Sequence, residues 1–454
     1  MKTQGVFLMA DRMTRFRSNQ KNLIVLFWCG LLISLLVIPA SGHLTTAPRF
    51  MSDSWLERES GFSIVYLHGS PYEMGYQQGT LLKTACLENL RAFTQFASDR
   101  GFTRNDSVHL WEQVKGFIPE EYLVEMQGLA DATNLTLEDV GIGNVLPMWV
   151  FCSGFIAWGP ATRNGSLLHA RSLDFYLTIR DPVSGNYVQD NAVLFVRDPD
   201  DGYASLDPSI AGLVGSTGGF NEHGVSVDVL VSPTYDEGVG EPMAFHLRDI
   251  LDHATTAQEA FTILSANRTR GWNFLVSQES PEGGYVVEQS KNHSYIGTWN
   301  STEEANRPFW QMDHVVRRTN LFIGRETAAT QRKLYNPRVL PILGAITGLS
   351  RMGTSHATSF IPWYHYKVLS KAMQRQWGNL TLNSSMTALR SVYNGKTDPV
   401  FFVFQKLRFY TSLIQWVGEP STGDLAVSFA SGTHDAFTQP VSFVNLYTLL
   451  AHTK

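Results

Sequence analysis

The stretch CSGFIAWGPATRNGSLLHARSLDF, Cys152 to Phe175, is where the chain changes character. Upstream of it, apolar residues recur at helical spacing in Leu81 to Ala97 (LLKTACLENLRAFTQFA) and in His109 to Ala132. A single strand-like run, SIVYLHG from Ser63, precedes them and turns into a helix through SPYEMGYQQG. From Cys152 on, short β-prone runs dominate: SGFIAW, SLLHARSLDF, NAVLFV, LVGSTGGF and HGVSVDVLV. WNFLVSQ, GYVVEQS, VVRRTNLF and LIQWVGEPSTGDLAVSFAS continue the series. Helices are expected near Met243–Ala266 and Thr327–Asn336, the latter limited by Pro337. Grouped helices and grouped strands specify an α+β fold rather than alternating βα units.

Composition narrows the function classes. The 454 residues carry 36 basic and 41 acidic side chains, a formal charge of −5, with 43% apolar and 17% charged residues. Such a chain can bury a large core and is no disordered tail. It has no basic excess to displace counterions from phosphates, which excludes nucleic acid as the expected partner. Three cysteines, Cys29, Cys86 and Cys152, are too few for a disulfide scaffold. A Cys86–Cys152 bridge is one expectation, and a free Cys152 thiol with a chemical role is the other.

The amino-terminal region reads as a targeting segment. Leu23 to Ile38 carries no charge, follows Lys2, Arg12, Arg15, Arg17 and Lys21, and precedes Pro39, Ala40, Ser41 and Gly42. A basic flank, a short apolar run and small residues describe a signal peptide over 1–42, with a retained signal anchor as the alternative. Eight sequons begin at Asn105, Asn134, Asn164, Asn267, Asn292, Asn300, Asn379 and Asn383, where chance gives about three. Both features specify a secreted or lysosomal, lumenal glycoprotein. If the anchor is kept, the chain is instead a single-pass type II membrane protein, and only then does it contact membrane.

Cys152 is the residue with chemistry to explain. An ordinary thiol is little ionised at neutral pH, so a nucleophilic cysteine needs a base or a positive neighbour. Arg171 and Asp174 lie downstream at R-x-x-D spacing, and no HEXXH, CxxC, P-loop or GxSxG motif is present. Cleavage of the Phe151–Cys152 bond offers another base. The freed α-amine sits on the same residue as the thiol and titrates near ~7.7–8.0. Asp174 could then orient that amine, while Arg171 favours the thiolate.

This CS…G…LLHARSLDF pattern resembles the N-terminal-nucleophile cysteine hydrolases. These comprise the penicillin-biosynthesis acyltransferase (peptidase C45) group, choloylglycine hydrolases, acid ceramidase and N-acylethanolamine acid amidase. GSPYEMGYQQG, EYLVEMQGLADAT, GSTGGFNEHGVSV, RRTNLF and TQRKLYN resemble further family segments, in family order over residues 60–345. The resemblance implies a four-layer αββα sandwich, autocleavage between Phe151 and Cys152, and two fragments, 43–151 and 152–454, that stay associated. It implies Cys152, Arg171 and Asp174 in the site, Asn320 and Asn221 as oxyanion donors, and Arg332 as a second arginine, with Arg317, Arg318 and Arg325 as neighbouring candidates. The implied reaction is hydrolysis of, or acyl transfer from, a small linear acyl amide through a Cys152 thioester, with no metal or organic cofactor. A phospholipase-B-like or ceramidase-like lipid acyl hydrolase, and a catalytically silent lumenal binding protein, are the alternatives.

Other conspicuous residues carry structural expectations. Glu121, Glu125 and Asp131 are expected on a solvated helix face. Cys86, His68, Glu288 and Asn273 are expected in packing or structural hydrogen bonds. The aromatic groups FWQ, WYHY, FFVF and FYTS read as core, or as an apolar wall for an acyl chain.

Overall fold

The computed structural model describes residues 51–52, 54–59, 61–146, 152–332, 335, 357–393 and 411–452. The targeting segment, Phe151 and the FFVF group therefore lie outside the described residues. Trp55–Glu59 (β1) and Phe62–Gly69 (β2) lead into five helices: Pro71–Leu81 (α1), Lys83–Ser98 (α2), Arg104–Val114 (α3), Glu120–Thr133 (α4) and Leu137–Val145 (α5). Cys152–Gly159 (β3), Gly165–Phe175 (β4), Ala192–Pro199 (β5), Ser205–Ile210 (β6), Gly218–Asn221 (β7) and Ser226–Val231 (β8) follow. Met243–His253 (α6) and Ala257–Ser265 (α7) precede Trp272–Gln278 (β9), Gly283–Gln289 (β10), Ser294–Gly297 (β11) and Val315–Arg318 (β12). Arg325–Thr330 (α8), Ala357–Gln376 (α9), Leu382–Arg390 (α10), Thr411–Glu419 (β13), Asp424–Phe429 (β14), Ser442–Asn445 (β15) and Leu446–Ala451 (α11) complete the described chain.

The strands form two sheets, one ordered β1-β2-β5-β6-β7-β8-β9-β10-β11 and the other β12-β3-β4-β13-β14-β15. All neighbours are antiparallel except β2 and β5. Period-two alternation gives each sheet two apolar faces. Cys152, Ile156 and Leu173 of the smaller sheet join Val227, Phe274 and Val286 of the larger one in the core between them. Val65, Leu67, Val193 and Phe195 face outward onto α1–α5. Phe155, Ala157, Leu168 and Ala170 face α9 and α10 on the other side. Helices, sheet, sheet and helices thus stack as four layers, the α+β arrangement read from the sequence.

Local rules set the helix ends. Ser70, with Pro71 in the first turn, starts α1, and Glu73 accepts from both Ser70 N and Ser70 Oγ at 2.9 and 2.7 Å. Thr103–Asp106, Thr136–Asp139 and Thr256–Glu259 repeat this reciprocal cap. The helical stretch expected over His109–Ala132 is two helices, because Pro119 begins α4 after a turn at Lys115–Phe117. Met243–Ala266 likewise splits at Ala254–Thr256. The helix expected over Thr327–Asn336 starts at Arg325 and ends at Thr330, where Gln331 pairs with Thr234.

Glu125 overturns the expected solvated face of α4. It is 1% exposed, and its carboxylate receives Arg197 of β5 and Arg248 of α6 at 3.2 and 3.1 Å. The close crossing of α1 and α4 explains why this side of α4 is covered: a Cβ on Gly75 would lie 1.8 Å from Glu125 O, and one on Gly128 2.1 Å from Tyr72 O. Asp131 is exposed as expected, and Glu121 is half-buried. Cys86 and Cys152 are both free and buried in different cores, on opposite sides of the larger sheet, so the bridge between them does not form. Phe309 and Tyr366 pack with Leu321 and Ile323 as core, against Trp310 and Trp363. No helix among the described residues is long and apolar enough to cross a membrane.

Candidate active site

Strand register brings the central residues together. β12 runs antiparallel to β3 with Arg318 opposite Gly154, so the chain leaving β12 carries Asn320 alongside Cys152. Asn320 Oδ1 accepts from Cys152 N at 2.9 Å, and its Nδ2 donates to Val231 O at 2.7 Å. On the other flank, β4 places Leu173 opposite Cys152 and Arg171 opposite Gly154. Arg171 Nη2 reaches to 3.9 Å from Cys152 Sγ and donates to Val229 O at 2.9 Å. Its Nη1 donates to Thr217 O, so the GSTGG turn touches the site through the Thr217 carbonyl.

The thiol sits in a contested field. Burial pushes Cys152 up to about 12; Arg171 works against that rise, and the Asp174 and Asp228 charges add to it. In the uncleaved chain the thiol is therefore protonated at neutral pH. Cys86 is likewise pushed up to about 12 by burial, without a neighbouring cation to oppose it.

Asp174 does not share the face of Arg171. Three residues apart on one strand point to opposite sides, and the Asp174 carboxylate accepts the Tyr393 hydroxyl in the α9–α10 layer. Ser172 Oγ lies 3.4 Å from the same oxygen and 2.7 Å from Tyr393 Oη. In this state the Cys152 nitrogen is held by Asn320, not by Asp174.

Asn221 is committed elsewhere. Its Nδ2 donates to Leu251 O and Ala254 O at 3.0 and 2.8 Å, and its Oδ1 accepts from His223 N and Val225 N, both at 3.1 Å. These bonds tie the β7–β8 turn, in which Gly224 takes φ +79°, to the end of α6. They make Asn221 a turn anchor and leave its amide no role at Cys152. Arg332 lies on the 233–237 loop, with its N on Pro233 O at 2.8 Å, its Nε on Thr234 O at 3.1 Å and its guanidinium 3.6 Å from Glu237. Of the neighbouring arginines, Arg318 pairs with Glu288 and Glu304, Arg317 donates to Ser370 Oγ at 2.7 Å, and Arg325 is exposed at the start of α8.

Sequence reasoning undervalued the supports of Asn320. Asn273 Nδ2 donates to Thr319 O and Leu321 O at 2.8 and 3.0 Å, clamping both neighbours of Asn320. Gln331 Nε2 donates to Asn320 O at 3.3 Å, while its Oε1 accepts from Phe322 N at 3.2 Å. In TQRKLYN it is thus the glutamine, one position before Arg332, that contacts the oxyanion candidate. Glu288 is structural as expected, accepting from Ile323 N and Gly324 N at 2.7 and 2.9 Å.

A narrow apolar crevice of about 20 Å³ opens beside Arg171, bordered by Leu173, Phe175, Val231, Trp272 and Ile414. A larger cleft of about 710 Å³ lies between α2 and residues 178–185 and is lined by none of these site residues, so the chemistry is not placed there. Among the described residues one group has metal-ligand spacing, Glu121 with Asp249 and His253. Asp249 Oδ1 lies 2.8 Å from His253 Nδ1 and Glu121 Oε2 3.8 Å from Nε2. The Asp249 hydrogen bond, opposed by burial and aided by Glu121, pushes His253 up to about 9. A protonated ring shared by two carboxylates accounts for this group without an ion.

Comparison with known proteins bears on the same segments. Residues 181–336 match the family model for acyl-coenzyme A:6-aminopenicillanic acid acyl-transferase, a span that includes Asn221, Asn320 and Arg332 and begins after Cys152. The chain is 30% identical over 226 residues to protein dcd1B of Dictyostelium discoideum, covering 44% of each chain. It is 26% identical over 273 residues to a protein of Archaeoglobus fulgidus, covering 51% of this chain and 44% of the other. The matches thus span somewhat under half the length of these relatives. Among solved structures, penicillin V acylase from Agrobacterium tumefaciens aligns with a TM-score of 0.37 at 18% identity, covering 65% of this chain and 86% of that one. The Caenorhabditis elegans N-acylethanolamine-hydrolyzing acid amidase ortholog aligns with a TM-score of 0.35 at 16% identity, covering 64% of this chain and all of the other. Over residues 181–336 the chain is thus similar to the acyl-coenzyme A:6-aminopenicillanic acid acyl-transferase family.

Proposed function

We propose that this chain is a cysteine amidohydrolase or acyltransferase that cuts itself before Cys152 and then acts on linear acyl amides. The observation that carries the reading is the geometry at Cys152: a thiol beside the Arg171 guanidinium, on a residue whose main-chain nitrogen rests on Asn320 at 2.9 Å. In the first step the thiol attacks the Phe151 carbonyl, forming a thioester and releasing the Cys152 amine. Water then resolves the thioester and leaves a carboxylate on Phe151. The new amine takes the thiol proton during attack on a substrate amide and returns it to the departing amine. The Asn320 amide, held at Val231 O and beside Cys152, supports the oxyanion. The crevice beside Arg171 supports an apolar acyl group, once its side chains withdraw to admit one.

A lumenal, glycosylated setting fits the surface. All eight sequon asparagines are exposed: Asn105 and Asn383 in the first turns of α3 and α10, Asn134 at the end of α4, and the others in loops and turns. Asn292 Nδ2 already donates to Asp236 at 2.6 Å, so it is expected to carry sugar least often.

The test compares the full chain with C152A. Wild type is expected to run as two fragments on a denaturing gel and to release amine from N-acyl amides of graded chain length. C152A is expected to remain one inert chain. A wild type that stays whole, and turns over amide at a rate unaffected by thiol alkylation, removes the reading. Turnover confined to acyl esters replaces the amidase by a lipid acyl hydrolase using the same thiol.

A further inference from the structure

The acyl chemistry proposed for Cys152 leaves a second polar group between the sheets without a role. His169, Asp228 and Ser277 are all fully buried there. His169 lies on β4 two residues before Arg171, so both point to the same face. Its Nδ1 is 2.9 Å from Ser277 Oγ on β9, and its Nε2 is 3.2 Å from Asp228 Oδ2 on β8. The imidazole therefore reaches from the smaller sheet to two strands of the larger one. The Trp416 ring packs against it at 5.3 Å between centroids.

Gly154 shows where the carboxylate sits. A Cβ at that position would lie 2.9 Å from Asp228 Oδ2 and 2.9 Å from Leu275 Cδ1. Gly154 is two residues beyond Cys152 and on the same face of β3, so the missing side chain lets Asp228 lie close to the nucleophile. The second oxygen, Asp228 Oδ1, has no hydrogen-bond donor among the described residues. A carboxylate with one oxygen unpaired in a buried, low-dielectric interior keeps a strong field. The three residue types are those of a serine hydrolase, but every member is sealed in the core, and a second hydrolytic centre would need substrate access there.

We propose that Asp228, held by His169, whose ring Ser277 orients, is a positioning residue that sets how readily the Cys152 thiol gives up its proton, and that His169 acts only through Asp228. The inference rests on Cys152 being the nucleophile. The charges facing the thiol are Arg171 from β4, which favours the thiolate, and Asp228 from β8 with Asp174 from the far side of β4, which oppose it. Packed against the imidazole, β9 brings Ser277 and β13 brings Trp416, and neither is charged. Beyond burial, thiol acidity is then a balance of Arg171 against Asp174 and Asp228, of which only Asp228 lies on the thiol's side of β4. His169 fixes that balance by holding the carboxylate at one distance.

The experiment follows iodoacetamide labelling of Cys152 against pH in the mature full-length protein, for wild type, D228N, H169Q and the D228N/H169Q double variant. D228N removes an opposing charge at nearly constant volume. It is expected to move the labelling midpoint to lower pH, giving about tenfold faster labelling below the wild-type midpoint. H169Q is expected to change the profile while Asp228 is present and to add nothing to D228N, since residues acting through one group are non-additive. If D228N does not accumulate, S277A carries the test: it releases one side of the imidazole and is expected to shift the profile in the direction of H169Q by a smaller amount. Profiles of D228N or S277A that superimpose on wild type overturn the proposal, as does an H169Q shift that persists in the double variant relative to D228N alone. Failure of the underlying reading looks different: alkylation of wild-type Cys152 then leaves turnover intact, whatever the variants do.

Discussion

Two buried polar clusters in this chain differ in whether their charges are matched. In the helical layer, Glu125 meets Arg197 and Arg248, Arg248 also meets Asp252 at 2.8 Å, and Arg197 also meets Asp207 at 3.4 Å. The spare donors go to main chain, Arg248 to Val214 O at 2.9 Å and Arg197 to Leu213 O at 3.3 Å. Between the sheets, by contrast, Arg171 Nε and Asp228 Oδ1 find no partner among the described residues, and a thiol sits between their charges. A saturated network fixes structure; an unsaturated one keeps electrostatic capacity for a reaction. The first ties α4 to β5 and α6, and the second faces the Cys152 thiol.

Substitutions should separate the two clusters. E125Q leaves two buried guanidiniums short of an anion, and a loss of about 3–5 kcal/mol in urea unfolding is expected, with activity per folded molecule unchanged. Next in size, N320A removes the acceptor for Cys152 N and the oxyanion donor. It should lower kcat about 10²–10³-fold, an effect of about 2.7–4 kcal/mol on the barrier, with a smaller loss of stability than E125Q, about 1–3 kcal/mol. Reversal of these two outcomes would mean the clusters have been assigned the wrong way round. Y393F takes the hydroxyl from Asp174 and should cost about 1 kcal/mol of stability, with a modest fall in kcat.

The weakest expected effect concerns pH. His253 on α6 is pushed up to about 9 by Asp249 and by Glu121 on α4. Its folded pKa stands above the unfolded value of ~6.5, so its contribution is complete below that value and is lost as pH rises through about 9. The difference in thermal midpoint between wild type and H253Q should therefore be greatest in mild acid and vanish above pH 9. A difference that grows with pH would contradict this sign.

The same contrast explains what the sequence made legible. Cys152 and Arg171 share one strand pair, and a T-N dipeptide ending the next strand brought Asn320 within reach of a motif reading. The α+β class followed from grouped helical and β-prone runs, while the four-layer order was implied only by the resemblance. Glu125 misled because helical spacing does not say what covers the other face, and its partners lie 72 and 123 residues away. Asn221 misled because a turn-forming asparagine and an oxyanion donor look alike until the carbonyls of Leu251 and Ala254 are seen to claim it. His169, Asp228 and Ser277 stand on three strands of two sheets, 59 and 108 residues apart, and no local pattern joins them. The strand Ser205–Ile210 escaped notice because Pro208 argues against a strand that the sheet nevertheless accommodates opposite Leu194.

Amino-terminal sequencing with intact mass analysis of the mature protein tests the central claim most directly. One chain is expected to begin Cys152-Ser153-Gly154-Phe155, with its thiol open to alkylation and turnover lost on labelling. A polypeptide continuous through Phe151 and Cys152, in a preparation that still turns over amide, would contradict it.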